Sequence, residues 1–229
     1  MRLENIDKVY GNKIQTQVLF DLNMSFPPGS FNSIIGESGS GKSTLLNIMG
    51  TLDKPTRGKV YINGVDTVSL NKKQLAVLRN ETLGFIFQFH YLLPEYTTLE
   101  NIMMPYFIQG KTHSKRRMQK VADKLIEMVG LEKVKNNLAG EMSGGQQQRA
   151  AIARALFNQP QVILADEPTG NLDSETTERI YKLLKDINEE MQSTLIVITH
   201  DKKIAEKTNR IIELKDGKIY LDLENPQQT

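Results

Sequence analysis

The chain has 229 residues, 39% hydrophobic and 24% charged, an ordinary globular mixture with length for one large α/β domain and little room for two. Its 29 basic and 27 acidic side chains leave a formal charge of +2, too balanced for nucleic-acid binding driven by electrostatics. With no cysteine and three histidines, a disulfide framework, a thiolate metal site, a thiol nucleophile and a His-rich metal cluster are all excluded.

From Arg2 to Tyr10 and from Gln17 to Phe26 apolar and polar residues partly alternate, which predicts strands with one face exposed in an antiparallel edge sheet. Pro27, Pro28 and Gly29 then punctuate. Phe31, Ile34 and Ile35 form a short strand that runs into a glycine-rich loop and a helix from Lys42 to Gly50. The middle of the chain, about 98–154, is predicted to be a helical insert, with Met118, Val121, Leu125 and Met128 along one face. After Pro160, Val162 to Ala165 is a buried strand. Ile180, Leu183, Leu184, Ile187 and Met191 mark an amphipathic helix, and Leu195 to Ile198 is another buried strand, giving βαβ alternation. Arg210 to Lys215 and Lys218 to Leu221 flank Asp216-Gly217, a two-residue hairpin turn. No apolar run approaches the roughly eighteen residues of a bilayer-spanning helix, and the opening MRLENIDKVY has no signal-peptide core, so a cytosolic location is expected, with any membrane role borne by a partner.

Gly36-Glu37-Ser38-Gly39-Ser40-Gly41-Lys42-Ser43 fits G-x-x-x-x-G-K-[ST] between a predicted strand and a predicted helix, the context in which the pattern binds nucleotide phosphates. Glycines let successive N–H groups turn inward, the helix adds its positive end, Lys42 neutralises the outer phosphates and Ser43, followed by Thr44, reaches Mg²⁺. A chance match of four fixed positions would occur on the order of once in a hundred chains of this length, before that context is demanded. Val162-Ile163-Leu164-Ala165 ends in Asp166 and Glu167, placing two acids at the sheet's carboxyl edge. Asp166 suits a metal ion, since a carboxylate ending a buried strand is costly without a cation or donors. Glu167 reads either as a general base or as a solvated loop acid. Neighbouring acids on a strand point to opposite faces, so the two are expected to do different work.

Ser143-Gly144-Gly145-Gln146 opens a further helix. It is either a second anion site or an ordinary cap, with Ser143 at the N-cap and Gln146 completing the capping box. If both turns bind phosphate, the second serves a nucleotide held by another copy of the chain.

Phosphate loop, Met142-Ser143-Gly144-Gly145-Gln146, Ala165-Asp166-Glu167-Pro168-Thr169 and Thr199-His200-Asp201, in this order and spacing, resemble the ATP-binding subunit of an ABC transporter across essentially the whole chain. The resemblance implies an α/β P-loop NTPase core with an antiparallel β edge and a helical insert, forming one ATP-binding domain over residues 1–229. It implies that Tyr10 stacks on adenine, that Gln88 senses Mg²⁺ and the partner, and that His200 contacts the γ-phosphate. Ser143 and Gly145 close on the ATP of a second copy, and Asp173 lies in the loop joining the two sites. Met142, where leucine is more usual, and Asn171, where many relatives have alanine, depart from the pattern without removing a chemical group. Taken without the resemblance, Tyr10 is a strand aromatic, Gln88 a strand-end polar residue, His200 a neighbour of a helix cap and Asp173 an N-cap.

Gly84 to Asn101 and Glu167 to Asp173 are similar to the lipoprotein-releasing and macrolide-exporting branch of that family. The aromatic stretch Phe89, Tyr91, Leu92 and Leu93 either forms a groove for another protein's helix or packs the joint between core and helical insert. The basic run His113 to Arg117 is either a lipid-headgroup contact or a solvated helix start. The resulting expectation is a homodimeric ATPase, cytoplasmic and peripheral on the inner face of the cell membrane, that uses ATP and Mg²⁺ to drive a permease on another chain. Lipoprotein release is the expected task. A macrolide or antimicrobial-peptide exporter and a cell-division regulator remain open, while soluble translation ATPases of the family usually carry two cassettes in one chain where this chain has one, and a small-molecule kinase leaves the Ser143 turn and His200 without roles.

Overall fold

The computed structural model describes residues 1–11, 13–109 and 114–225. Two sheets carry the fold. The first is antiparallel, in the order β2-β1-β4-β5, from β1 (Arg2–Tyr10), β2 (Thr16–Ser25), β4 (Arg57–Ile62) and β5 (Val65–Asp66). Leu3, Ile6, Leu19, Leu22, Met24, Val60 and Ile62 point inward from it, the alternation expected of a sheet with one wet face.

The second sheet has the order β10-β9-β3-β8-β7-β6. Its parallel strands are β3 (Phe31–Ile35), β6 (Leu83–Phe87), β7 (Val162–Asp166), β8 (Thr194–Ile198) and β9 (Arg210–Lys215), with β10 (Lys218–Glu224) folded back antiparallel on β9. Asp216 and Gly217 both take left-handed backbone at that hairpin, as its predicted turn requires. The central strands β3, β7 and β8 are buried on both faces, which is why β7 and β8 read as short apolar runs. Ile163, Ala165, Leu195 and Val197 feed one apolar cluster, whereas Val162, Leu164, Ile196 and Ile198 feed the other.

α1 (Lys42–Met49) buries Leu45, Leu46, Ile48 and Met49 in the cluster shared with the antiparallel sheet. α2 (Lys72–Thr82) follows β5 and leads into β6. Between β6 and β7 the chain forms α3 (Thr98–Ile102), α4 (Met104–Ile108), α5 (Lys115–Met128) and α6 (Gly144–Leu156). α6 packs against β6 as well as α3 and α5, so one apolar cluster runs from the helices onto the sheet. α5 buries Ala122, Leu125 and Ile126, with Met118 and Val121 partly covered; Met128, expected on that face, lies at its exposed margin. α7 (Ser174–Met191) covers the same sheet face through Ile180, Tyr181, Leu184 and Ile187, and α8 (Lys202–Ala205) joins β8 to β9.

Of the basic run at the start of α5, His113 lies outside the described residues. Ser114 caps the helix and Lys115, Arg116 and Arg117 are exposed, as at a solvated helix start. In a sheet of this kind the loops leaving the carboxyl ends of the parallel strands share one edge, and here those are the segments after β3, β6, β7 and β8.

Candidate functional site

The loop after β3 is built around positive φ angles at Gly36 (154°), Gly39 (83°) and Gly41 (100°). At Gly36 a Cβ would lie 2.3 Å from the Leu214 carbonyl and 2.6 Å from Ser40 Oγ, and at Gly41 it would lie 2.6 Å from Leu19 Cδ2. Both therefore need glycine for space as well as for conformation. No side chain caps α1 at Gly41, which leaves its positive end to the loop. Lys42 Nζ is folded back onto its own loop, donating to the carbonyls of Gly36 and Glu37 at 2.8 Å each. Ser40 Oγ is buried without a partner beneath the turn.

Gly36 to Gly39 and Gly41 to Thr44 line a cleft of about 470 Å³ together with Asp166, Glu167, His200, Val18 and Ile198. Burial, and then the charge of Glu167, raise the Asp166 carboxyl above the ordinary aspartate range, with Lys42 opposing them. Glu167 has a φ of 45°, an uncommon conformation for a side chain of its size, and its N–H donates to the Ile198 carbonyl at 2.9 Å. Its Oε1 lies 2.8 Å from His200 Nδ1; the glutamate side chain is 18% exposed and the imidazole 74%. The alternation rule fails at this pair. The chain turns over at Glu167, so both acids line the same cleft instead of opposite faces.

Among the described residues no group of three or more His, Cys, Asp or Glu side chains could enclose a metal. A Mg²⁺ ion that keeps water and phosphate oxygens needs only a hydroxyl and a carboxylate from the protein, and Ser43 and Asp166 on one cleft supply that set. An ionised Asp166 that burial penalises is chemically suited to a cation.

The remaining expected residues gather elsewhere. Tyr10, at the end of β1, is 41% exposed and does not line the cleft; its hydroxyl donates to Asp53 Oδ2 at 2.7 Å and lies by Thr44 of α1. Gln88, just past β6, faces the loop after β7 and does not line the cleft either: its Nε2 donates to Asn171 Oδ1 at 3.2 Å. A Cβ at Gly170 would sit 2.7 Å from that amide nitrogen. Ser143 caps α6 by accepting from Gln146 N–H at 3.4 Å, while Gln146 Oε1 accepts from Ser143 N–H at 2.9 Å. Gly144 and Gly145 lie against Leu172 and Thr176 at the start of α7. Asp173 caps that helix, its Oδ1 accepting from Thr176 N–H at 2.9 Å and its Oδ2 from the Thr176 hydroxyl at 2.7 Å. One copy thus presents two assemblies: the phosphate loop with Asp166, Glu167 and His200, and the Ser143 turn with Asp173, bridged by Gln88 and Asn171.

Sequence reasoning missed Lys8 and Asp53, which bracket Tyr10, and Arg154, whose guanidinium donates to the carbonyls of His90 and Tyr91 at 2.6 and 2.5 Å. The available signal for Arg154 was one cation among the apolar Ala151, Ile152, Ala153, Ala155 and Leu156. Of the aromatic stretch, Leu92 packs on the helical core, as the joint reading has it, while Phe89 (67%), Tyr91 (62%) and Leu93 (41%) are exposed.

The family model described as "ABC transporter" matches residues 19–170. A curated relative from Rhodopseudomonas palustris, "Lipoprotein-releasing system ATP-binding protein LolD 1", is 46% identical over 96% of this chain and 97% of its own length. "Lipoprotein-releasing system ATP-binding protein LolD" of Aquifex aeolicus is 47% identical over 96% and 95%. A dimeric structure of a post-hydrolysis state of the ATP-binding cassette MJ0796, bound to ADP and Pi, aligns with a TM-score of 0.90 at 44% identity over 98% of both chains. The chain belongs to the ABC transporter family, as an ATP-binding, ATP-hydrolysing cassette.

Proposed function

We propose that two copies of this chain clasp two ATP molecules head to tail and so drive a permease carried on another chain, and that the task is release of lipoproteins from a membrane. The observation that carries the dimer is the division of the site: the Ser143 turn lies away from the phosphate-loop cleft of its own copy, with its serine and Gly144 exposed. The lipoprotein assignment rests on identities of 43–47% with proteins of that name across nearly the whole chain.

In this reading the whole chain, 1–229, acts as one ATP-binding unit, and its helical segment, about 98–154, carries the Ser143 turn to the partner copy. Gly36 to Thr44 hold the phosphates through backbone N–H groups. Lys42, released from the Gly36 and Glu37 carbonyls, transfers its ammonium to the outer phosphates. Glu167 accepts a proton from the attacking water, and His200, now bonded to Glu167, turns to the transferring phosphoryl group. Ser43, Gln88 and Asp166 would hold Mg²⁺, which supplies charge neutralisation across the phosphates. Tyr10 stacks on the base, while Ser143, Gly144, Gly145 and Gln146 close on the partner's nucleotide and Asp173 joins the two halves. Among the described residues no helix is long and apolar enough to cross a membrane, so attachment to the inner face of the cell membrane runs through the permease.

Glu167→Gln keeps the side-chain volume and removes the proton acceptor. It should bind ATP, lose most of its turnover, and accumulate as a dimer by light scattering; full activity would remove Glu167 from the mechanism. Tagged Glu167→Gln protein held in ATP should recover a permease from gently solubilised membranes. In vesicles that permease should release a lipoprotein on addition of wild-type cassette and ATP, and release of a macrolide instead would redirect the cargo.

A further inference from the structure

Lys8 is a nearly buried cation inside an edge strand, at 8% exposure, where alternation alone would place an apolar residue. An ammonium has three donors, and the surroundings account for each side of this one. Two go to Lys54 O at 2.7 Å and Asp53 Oδ2 at 2.8 Å, and Nζ sits 4.6 Å from the centroid of the Tyr10 ring. The same Asp53 oxygen accepts the Tyr10 hydroxyl at 2.7 Å, and Asp53 Oδ1 accepts from Lys54 N–H at 2.7 Å. Burial works to raise the Asp53 carboxyl, and these donors outweigh it and hold the group below its ordinary value.

Asp53 is itself measured from the phosphate-binding helix. Leu52 N–H and Asp53 N–H both donate to Asn47 O near the end of α1, at 2.8 and 3.1 Å. Thr56 closes the segment onto β1, accepting from Val9 N–H at 2.9 Å and donating its own N–H to Asp7 O at 2.9 Å. The Tyr10 ring is therefore held at a set position relative to the helix that follows the phosphate loop. Lys8 Nζ lies over the ring, and Tyr10 as a whole remains 41% exposed, with surface free for a ligand.

We propose that Lys8 and Asp53 are positioning residues for the purine base of the nucleotide, fixing the Tyr10 ring in place and in polarity. A hydroxyl tied to Asp53 removes the tilt and rotation a stacking ring would otherwise lose on binding. A cation behind the ring draws on its negative face and leaves the opposite face better matched to an electron-rich purine. The proposal rests on the reading of Tyr10 as the base-stacking residue, and its test separates the two.

Binding of ATP and of inorganic tripolyphosphate, which has no base, is measured by calorimetry for the wild type, Lys8→Met, Asp53→Asn and Tyr10→Ala. Lys8→Met and Asp53→Asn should each weaken ATP by about threefold to tenfold and leave tripolyphosphate unchanged, the size expected when a fixed aromatic contact is loosened. In steady state KM for ATP should rise by the same factor with kcat kept within about twofold, since uniform binding is what is lost. Lys8→Arg should restore most of the affinity. Loss of tripolyphosphate binding in step with ATP would overturn the proposal in favour of a general folding role. Unchanged ATP binding in both variants, with Tyr10→Ala weakened, would overturn it while keeping Tyr10. An inert Tyr10→Ala would remove the underlying reading instead. If Lys8→Met does not fold, Asp53→Asn decides the question alone.

Discussion

Arg154→Met removes the one charged group that, among the described residues, pins the loop after Gln88. The guanidinium forks onto the carbonyls of His90 and Tyr91, and no carboxylate pairs with it among the described residues. Both carbonyl-bearing residues have left-handed backbone, φ 59° and 47°. Hydrogen bonds from a charged donor contribute about 1.5–3 kcal/mol each, so the fork is worth about 3–6 kcal/mol before relaxation. A non-glycine residue in left-handed backbone costs about 1–2 kcal/mol, so a loop free to relax recovers about 2–4 kcal/mol of that. The net global loss should be about 1–2 kcal/mol, or about 2–8 °C in Tm for a chain of this size. The larger effect is local: amide exchange across residues 88–92 should accelerate well before global unfolding, because its charged anchor is gone and Phe89 and Tyr91 are exposed, while Asn101 still holds Leu93 and Tyr96. Arg154→Lys should fall between, since a point cation holds one carbonyl but not a fork. Exchange across 88–92 that matches wild type in Arg154→Met would refute the argument.

Burial, with the charge of Arg154 adding to it and a bond from Gln147 opposing, lowers the His90 pKa. The unfolded chain therefore takes up a proton that the folded one refuses, so stability should fall as pH drops from about 6.5 towards that lowered value, and urea titrations of His90→Gln should show a flatter dependence there. Asp166 has the opposite sign: a raised folded pKa means the ionised carboxylate destabilises the nucleotide-free protein at neutral pH, and the penalty disappears in acid where both states are protonated. Asp166→Asn should raise Tm at pH 7 by about 1–3 °C while lowering ATP turnover; a lower Tm would mean the carboxylate has stabilising partners.

The phosphate loop, the strand ending in Asp166 and the hairpin at Asp216-Gly217 were legible because each depends on local chemistry: glycine backbone, an apolar run, a two-residue turn. The stretch from Arg57 to Thr82 was not, because β4 buries only Val60 and Ile62, β5 has two residues and α2 buries only Leu75, so neither periodicity rises above its surroundings. Register and strand order were equally hidden. Nothing in Phe31 to Ile35 states that β3 lies between β8 and β9, and nothing in Val162 to Asp166 states that β7 pairs with β8, the adjacency that brings His200 beside Glu167. Lys8 and Asp53 escaped notice for a related reason, since 45 residues separate partners whose pairing exists only once α1 has turned the chain back onto β1.

The strained positions follow the same division. Asn5, Asp21, Asn63 and Asp216 have positive φ in residue types that tolerate it, at bulges and turns. Thr51, His90, Tyr91, Gln159, Glu167 and Gln192 lie outside that group; Gln159 and Gln192 sit at helix ends, and the other four have identifiable tethers: Arg79 donates to Thr51 O at 3.0 Å, Arg154 to His90 and Tyr91, and Glu167 N–H to Ile198 O. Glu167 directly follows β7, and His90 and Tyr91 lie in the loop after β6, the edge where the acids and the aromatic loop sit. Backbone strain of about 1–3 kcal/mol per residue persists only when its surroundings over-determine it. The tethers are therefore what allow this edge to hold Glu167 against His200 and to keep Phe89 and Tyr91 facing solvent, rather than relaxing both segments onto the nearest apolar surface.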